Sequence, residues 1–187
     1  MIKKILWDFD GTLGYRDGMW SATILSMLVQ ESVTTIALED IRALMKGIWT
    51  WDYWQLPHCK LLSGKTWWEY VGGNIAGILE NLGVEISLSR SIAKRFPDVY
   101  KAPQHWHLYP DTISALEKSV FWGFKNIIVS NHVPELLEIM ENLGVTRYFE
   151  KIVVSSLCGY DKPNPEIFKI ALGGDTTDFC VMVGDNF

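Results

Sequence analysis

Four short runs of apolar, mostly β-branched residues recur along the chain and predict buried strands. The runs are KKILWDF near 3–9, KNIIVSN near 125–131, KIVVSS near 151–156 and DFCVMVGD near 178–185. Polar residues do not alternate with apolar ones inside them, which is typical of strands covered on both faces, as in a parallel sheet. We therefore expect a sheet that lies between two layers of helices.

Helical periodicity precedes the second run and separates the later ones, in PDTISALEKSVFWG, PELLEIMENLG and PEIFKIALGG. The predicted apolar stripes of the first two helices comprise Ile113, Leu116 and Val120, and Leu136, Leu137, Met140 and Leu143. Gly144 is placed to end the second helix, and Asn164 with Pro165 to begin the third. Strands that alternate with helices imply right-handed crossovers and an α/β fold with a doubly wound parallel sheet.

Residues from about 18 to 100 do not follow this alternation. They are mostly helical in pattern, contain no convincing strand and hold most of the nine Trp. We interpret them as a helical module inserted into an α/β core formed by residues 1–17 and 101–187. Aromatic residues at helical spacing are more often core than binding surface, so we expect most of these rings to pack inside the insertion.

Composition excludes some classes of partner. The 187 residues carry a net charge of −5 and contain no block of Lys and Arg, which argues against a nucleic-acid backbone as the main partner. A small phosphorylated substrate, by contrast, needs only one or two local cations. The three cysteines are widely spaced and predict neither a disulfide framework nor a CxxC metal site.

The same patterns predict a soluble, cytoplasmic protein. The apolar run after Lys3 and Lys4 is interrupted by Asp8, which is unlike a signal peptide. No stretch reaches the roughly 18 apolar residues that a membrane-spanning helix needs.

Polar residues follow each predicted strand where ligands bind in doubly wound sheets, beyond the carboxyl ends. The residues are Asp8, Asp10, Gly11 and Thr12; Ser130, Asn131 and His132; Lys162 in the loop after the third strand; and Gly184, Asp185 and Asn186. Residues i and i+2 of a strand share a face, so Asp8 and Asp10 can point into one cavity.

This set suits phosphoryl transfer through an aspartyl phosphate. A carboxylate such as Asp8 can act as the nucleophile if cations offset the repulsion from a phosphate dianion. Asp8 and Asp185 could share a Mg²⁺, while Lys162 and Ser130 bind phosphoryl oxygens. Asp10 would be the general acid for the leaving alcohol and then the base for water.

Each of these residues also has a structural interpretation. The Asp pair could be a solvated turn, Lys162 a solvated loop cation, and Ser130 and Asn131 caps of the next helix. For His132 we favour a helix-capping role over contact with substrate. Asn186 is a candidate supporting residue and not a ligand.

Four segments together resemble, in order, the motifs of the haloacid dehalogenase (HAD)-like hydrolase superfamily. They are DFDGTL at 8–13, the Ser130-Asn131 pair, Lys162 in KPNPEIF and VMVGDN at 181–186. The resemblance covers the α/β core, and the helical insertion resembles the C1 cap of subfamily I. In similar proteins the segment Tyr15–Asp17 is a mobile flap, in which Arg16 either contacts a substrate anion or is solvated.

The resemblance implies roles for single residues. Asp8 becomes the nucleophile and Asp10 the general acid and base. Mg²⁺ would lie against the Asp8 carboxylate, the Asp10 carbonyl and Asp185. The predicted phosphate-binding residues are Thr12, Ser130, Asn131 and Lys162.

The second acid, Asp10, also narrows the reaction. Dehalogenases of this superfamily lack it, whereas phosphatases and phosphomutases have it. We therefore expect a Mg²⁺-dependent phosphatase acting on a small phosphorylated metabolite, with a sugar phosphomutase or a non-catalytic phospholigand-binding fragment as alternatives. The insertion and the spacing of the first motif argue against a response-regulator receiver.

Cores of this superfamily usually continue beyond the fourth motif with a further acid, a helix and a strand. This sequence ends at Phe187. We therefore expect a shortened version of a longer protein, with an apolar strand at the edge of its sheet. Such a chain would dimerise or aggregate through that edge and hydrolyse phosphate esters poorly.

Overall fold

The centre of the fold is a parallel sheet, seen in a computed structural model that describes residues 3–174 and 179–185. Its strands are β1 (Lys3–Trp7), β4 (Phe124–Ser130), β5 (Phe149–Val154) and β6 (Cys180–Val183). They lie in the order β5-β4-β1-β6, and every neighbouring pair is parallel. The four apolar runs thus form the predicted strands.

Helices cover both faces of this sheet. The core helices are α5 (Thr112–Phe121), α6 (Leu136–Asn142), α7 (Ser155–Cys158) and α8 (Pro165–Leu172). Successive strand residues feed two separate apolar clusters: Trp7 and Ile128 lie with α5 and α6, whereas Leu6 and Ile127 lie with α8. This division confirms the doubly wound α/β architecture.

The helix boundaries follow their sequence signals, but two predicted inward residues are wrong. Asn164 caps α8 by accepting a hydrogen bond from the Glu166 N–H, and Gly144 follows α6 with a φ of 73°. Leu137 and Val120, however, are 47% and 50% exposed. Each lies one residue, about 100°, beyond the buried line of its helix, such as Leu136, Ile139 and Met140 in α6.

Residues 19–100 form a separate set of helices that contains no strand in the described chain. They are α1 (Met19–Gln30), α2 (Leu38–Leu44), α3 (Gly64–Asn81) and α4 (Ile86–Tyr100), with 3₁₀ turns at Thr50–Tyr53 and Cys59–Leu61. Trp49 and Trp67 are almost fully buried among them, as expected for core aromatics. Within the described residues, none of the helices combines the length and hydropathy that a bilayer-spanning segment requires.

A short antiparallel ribbon stands where the chain leaves the core and returns to it. Strand β2 (Gly14–Arg16) pairs with β3 (Trp106–Leu108), so that Arg16 lies opposite Trp106. The sequence patterns do not predict this ribbon. Its two short strands bracket the helical insertion and tie both of its connections together.

Strand β6 departs from the expectation of burial on both faces. It lies at one end of the sheet order, next to β1, and Val181 is 55% exposed. An apolar strand therefore reaches the surface at this edge.

Candidate active site

The carboxyl ends of the sheet strands open into a cavity of about 880 Å³ between the core and the helical insertion. Its core side is lined by Asp8, Asp10, Gly11, Asn131, His132, Lys162 and Asp185. These residues come from four separate segments of the sequence, which the parallel topology brings to one edge of the sheet. Most of the predicted site residues thus share one cavity.

Asp8 is the most heavily contacted of the carboxylates. Its Oδ2 lies 2.5 Å from the Nζ of Lys162, and its Oδ1 accepts hydrogen bonds from the Ser130 hydroxyl at 3.0 Å and the Phe9 N–H at 2.8 Å. The side chains of Asp8 and Lys162 are 17% and 15% exposed. These contacts orient the Asp8 side chain at the floor of the cavity, where it can act as a nucleophile.

The two acids share a face because the residue between them points the other way. Phe9 is fully buried, and its ring centroid lies 6.0 Å from that of Trp106 and 5.8 Å from that of His132. Asp8 and Asp10 both line the cavity. The arrangement follows the two-residue spacing on which the prediction rested.

Asp10 has a buried neighbour that the sequence patterns do not identify. The Nε2 of His132 lies 3.5 Å from Oδ1 of Asp10, and both atoms are buried without a hydrogen-bond partner in the described chain. Burial of the imidazole opposes its charged form, but the carboxylates of Asp10 and Asp8 outweigh it, and the pKa of His132 is raised above its ordinary value. Helix α6 begins only at Leu136, so the expected helix-capping role of His132 is wrong.

Asn131 fastens the loop that carries Lys162. Its side-chain carbonyl accepts a hydrogen bond from the Lys162 N–H at 2.6 Å, and its amide donates to the Lys162 carbonyl at 3.0 Å. These paired bonds fix the lysine main chain against the end of β4. The Asn131 amide reaches Lys162 instead of capping the following helix.

Asp185 lies directly above the turn at Gly11. A Cβ built at Gly11 would lie 2.7 Å from the Cγ of Asp185, and the φ of Gly11 is +76°. Only glycine fits this turn without displacing the carboxylate. The turn therefore leaves room for Asp185 beside the Asp8–Asp10 segment.

The carboxylates of the cavity are compatible with a Mg²⁺ ion that takes only part of its ligands from the protein. No three His, Cys, Asp or Glu side chains in residues 3–174 and 179–185 converge closely enough to hold a metal by themselves. Mg²⁺ is usually bound through only one or two carboxylates, with water and phosphate oxygens completing its shell. Asp8, Asp10 and Asp185 all line the cavity, and the space left by Gly11 admits the Asp185 carboxylate, so the donors present are of the type that such an ion takes.

Two predicted residues within the described part of the chain do not line the cavity. Ser130 lies beneath it and donates to Asp8. Thr12 lies apart from the lining, and its buried Oγ1 has no hydrogen-bond partner within the described part of the chain. Asn186 lies outside the described residues.

The opposite wall of the cavity is aromatic and comes largely from the insertion and the ribbon. Its rings belong to Tyr15, Trp20, Trp51, Trp54, Tyr100 and Tyr109. The tryptophan-rich stretch was the available signal, but spacing alone does not separate rings that face the cavity from those that face the core. Trp20 illustrates the difficulty, since it also stacks on Phe96 and Tyr100.

Arg16 also lines this wall, yet it is only 7% exposed. Of the two alternatives left open for Arg16, contact with a substrate anion or a solvated side chain, the solvated one does not hold. Burial lowers its pKa, an effect that Tyr100 and Asp17 partly offset.

Comparison with known proteins places this site in a family. The chain matches the model of the haloacid dehalogenase-like hydrolases over residues 2–187. It is 25% identical to a phosphoglycolate phosphatase of Aquifex aeolicus over 193 aligned positions, covering 98% of this chain and 76% of that protein. It is 29% identical to a phosphoserine phosphatase of Thermus thermophilus over 111 positions, covering 58% of this chain and 43% of that protein.

The extent of these matches differs among relatives. The chain spans about half the length of several other curated relatives that it matches. Its fold superposes on the crystal structure of a predicted phosphoglycolate phosphatase from Haemophilus somnus with a TM-score of 0.67 and 17% identity, covering 98% of this chain and 77% of that chain. The family match over nearly the whole sequence, the shared fold and the cluster of carboxylates agree, and the chain belongs to the haloacid dehalogenase-like hydrolases.

Proposed function

We propose that the protein is a Mg²⁺-dependent phosphatase that hydrolyses a small phosphorylated metabolite. The observation that carries the proposal is a second acid, Asp10, in the same cavity as Asp8 and its Lys162 and Ser130 partners. A phosphate ester needs both a nucleophile and a proton donor for its leaving alcohol. The phosphoglycolate and phosphoserine phosphatases among the relatives support the same substrate class.

The reaction proceeds in two displacements. An oxygen of Asp8 attacks phosphorus while Asp10 donates its proton to the departing alcohol, and this step leaves a phosphoryl group on Asp8. Asp10, now ionised, then takes a proton from water as the water oxygen attacks phosphorus. Inorganic phosphate leaves, the Asp8 carboxylate is restored and Asp10 is protonated again.

The remaining residues neutralise or position the negative charge that Asp8 and the phosphoryl group bring together. Lys162 offsets the negative charge shared by Asp8 and the phosphoryl oxygens, and Ser130 holds the carboxylate from below. Bound Mg²⁺ would supply further charge neutralisation, with Asp8, Asp185 and the Asp10 carbonyl as its protein ligands. Thr12 and Asn131 remain candidates for phosphate binding beside Ser130 and Lys162.

The wider arrangement is also part of the proposal. Residues 18–100 act as a cap over the core formed by 1–17 and 101–187, and the aromatic wall supports that division. The chain works in the cytoplasm, which fits three cysteines too widely spaced in the sequence to suggest a disulfide framework, and it forms a homodimer through the edge of β6.

Paired substitutions test the mechanism. Asp8→Asn should abolish release of phosphate from 4-nitrophenyl phosphate in the presence of Mg²⁺. Asp10→Asn should reduce hydrolysis of alkyl phosphates more than that of aryl phosphates, because a good leaving group needs less protonation. Asp98→Asn, at a position that is 85% exposed on α4, is the matched control.

Two outcomes would count against the proposal. If Asp8→Asn retains turnover and circular dichroism shows an intact fold, Asp8 is not the nucleophile. Conversion of one phosphate isomer into another without free phosphate would identify a phosphomutase instead.

A further inference from the structure

We propose that Arg16 binds a second anionic group of the substrate, so that the enzyme prefers phosphate monoesters carrying another anion. This inference rests on the proposed phosphatase function and specifies its substrate class. The second anion can be a carboxylate or a second phosphate, since a guanidinium pairs with both.

Arg16 is a buried cation without a carboxylate partner. It is 7% exposed, its Nη2 donates to the Val99 carbonyl at 3.3 Å, and its Cζ lies 5.5 Å from the centroid of the Tyr100 ring. Among the described residues, no carboxylate lies within 4.0 Å of the guanidinium, and its buried Nε has no hydrogen-bond partner. A buried charge is costly unless it is paired, so this group is suited to meet a charge that arrives with the substrate.

The position of Arg16 fits that role. It lines the same cavity as Asp8 and Lys162, and Lys162 is already paired with Asp8. Because one cavity is lined by both sets of residues, a substrate whose phosphoryl group lies against Asp8 and Lys162 can place a second group against Arg16 and Tyr100. A neutral substrate would leave the guanidinium without an anionic partner.

Two structural roles for Arg16 give different expectations. In the first, Arg16 does no more than join the β2–β3 ribbon to α4 through its hydrogen bond to Val99. Loss of Arg16 would then affect all substrates alike. In the second, Arg16 only neutralises the charge of Asp17. However, Asp17 is exposed and forms no ion pair with Arg16 among the described residues. Substrate discrimination separates binding of an anion from both.

The experiment compares matched substrates. We would measure kcat/KM for carboxyalkyl phosphates of increasing chain length, for the primary amides of the same compounds and for the corresponding alkyl bisphosphates. The wild type should prefer the anionic member of a pair by about 10- to 100-fold, as expected for a charge-assisted hydrogen bond. Arg16→Met should reduce that preference to within about threefold of unity, and the bisphosphates show which anion fits better.

A second arginine provides the control. Arg147 also lies over a tyrosine, with its Cζ 4.9 Å from the Tyr148 ring centroid, but it is exposed and lies outside the cavity lining. Arg147→Met should preserve the preference for the anionic substrate. Arg16→Lys, which keeps the charge but loses the two-pronged donor geometry, should retain part of it.

Binding measurements keep the inference separate from turnover. Calorimetric titration with a non-hydrolysable carboxyalkyl phosphonate should show at least tenfold weaker binding to Arg16→Met than to the wild type. If that variant does not fold, Arg16→Lys should show a smaller but measurable loss of affinity for the phosphonate. Equal affinity for wild type and variant, or an equal loss for the anionic and amide compounds, would overturn the inference. Failure of the wild type to hydrolyse any ester would instead overturn the proposed function, while the phosphonate titration still decides the role of Arg16.

Discussion

At the scale of single residues, the turn at Gly11 has no room for a side chain. Its φ of +76° disfavours any other residue, and a Cβ there would lie 2.7 Å from the Cγ of Asp185. Gly11→Ala should therefore push Asp185 out of place, lower kcat at least about tenfold and raise the Mg²⁺ concentration needed for half-maximal activity. Titration of activity with Mg²⁺ measures both effects.

Gly47 isolates the contribution of the backbone. Its φ is +74°, but a Cβ there would meet nothing within 4 Å. Gly47→Ala carries the same conformational strain without the clash, so its Mg²⁺ requirement should match that of the wild type. Similar Mg²⁺ curves for the two alanine variants would mean that the Asp185 contact is unimportant.

His132 should act on the reaction through Asp10. Its Nε2 lies 3.5 Å from the Asp10 carboxylate, while its ring packs against Phe9 and Trp106. His132→Phe keeps the aromatic packing but removes the partner that orients the acid. We expect kcat for alkyl phosphates to fall by more than kcat for aryl phosphates, with the same sign as for Asp10→Asn.

An exposed histidine tests the specificity of that effect. His105 lies at the surface outside the cavity lining, so His105→Phe should leave the alkyl-to-aryl ratio unchanged. If His132→Phe lowers kcat equally for alkyl and aryl phosphates, His132 contributes only to packing.

Sequence analysis predicts the surroundings of a residue when they are set by its neighbours in the sequence, and fails when they are set by residues distant in the sequence. Asp8 and Asp10 lie in one contiguous motif directly after a strand, so local spacing predicts that they face the same cavity. The burial of Arg16 depends on contact with Val99, and the environment of His132 depends on Trp106. Those partners are distant in sequence, and no local pattern specifies such contacts.

At the scale of elements, the same distinction separates the sheet from the ribbon. The sheet strands are predictable because each contains a largely apolar run, although the edge strand β6 leaves Val181 exposed. Strands β2 and β3 are three residues each and pair across the whole insertion. Such short segments carry no periodicity, and their pairing joins residues that the helical insertion separates in the sequence.

Another element-scale contact joins the insertion to the loop that carries Lys162. The Nδ1 of His58 lies 3.3 Å from Asp161, and the two side chains are 8% and 0% exposed. The His58 N–H also donates to the Gly159 carbonyl at 2.9 Å, and Asn164 donates to the Trp54 carbonyl at 3.0 Å. The segment around the second 3₁₀ turn is thereby held against residues 159–164.

Removing one partner of this buried contact should destabilise the protein. His58→Leu leaves the Asp161 side chain buried without its polar neighbour, and an unsatisfied buried polar group costs roughly 1–3 kcal/mol in other proteins. Urea denaturation should show that loss, and KM should rise because Asp161 adjoins Lys162. Lys65→Met is the control, since the Lys65–Glu69 pair is exposed and should contribute less than about 0.5 kcal/mol.

The double variant His58→Leu/Asp161→Leu should recover part of the lost stability, because neither polar side chain of the contact is then left buried without its partner. Equal free energies of unfolding for His58→Leu and Lys65→Met would contradict a stabilising role for the pair.

At the scale of the whole molecule, the cavity is a product of assembly. Its floor comes from strand ends that the motifs predict, but its roof consists of rings from the insertion and the ribbon, such as Trp20, Trp51 and Tyr15. Which tryptophans face the floor of the cavity depends on how the helices of the insertion pack against the α/β core. The reaction class can therefore be proposed from the sequence, whereas the burial of Arg16, on which the proposed preference for a second anion rests, is visible only in the folded wall.

The outer edge of β6 leads to a prediction about assembly. Val181 and Phe179 are 55% and 47% exposed at the end of the sheet order. An apolar edge strand favours pairing with another chain, and a lysine on such a strand opposes it. Sedimentation velocity at increasing protein concentration should therefore show a dimer for the wild type and a monomer for Val181→Lys. Leu137→Lys, at a position 47% exposed on α6, is the matched control and should remain dimeric, whereas a wild type that stays monomeric at every concentration would rule out association through this edge.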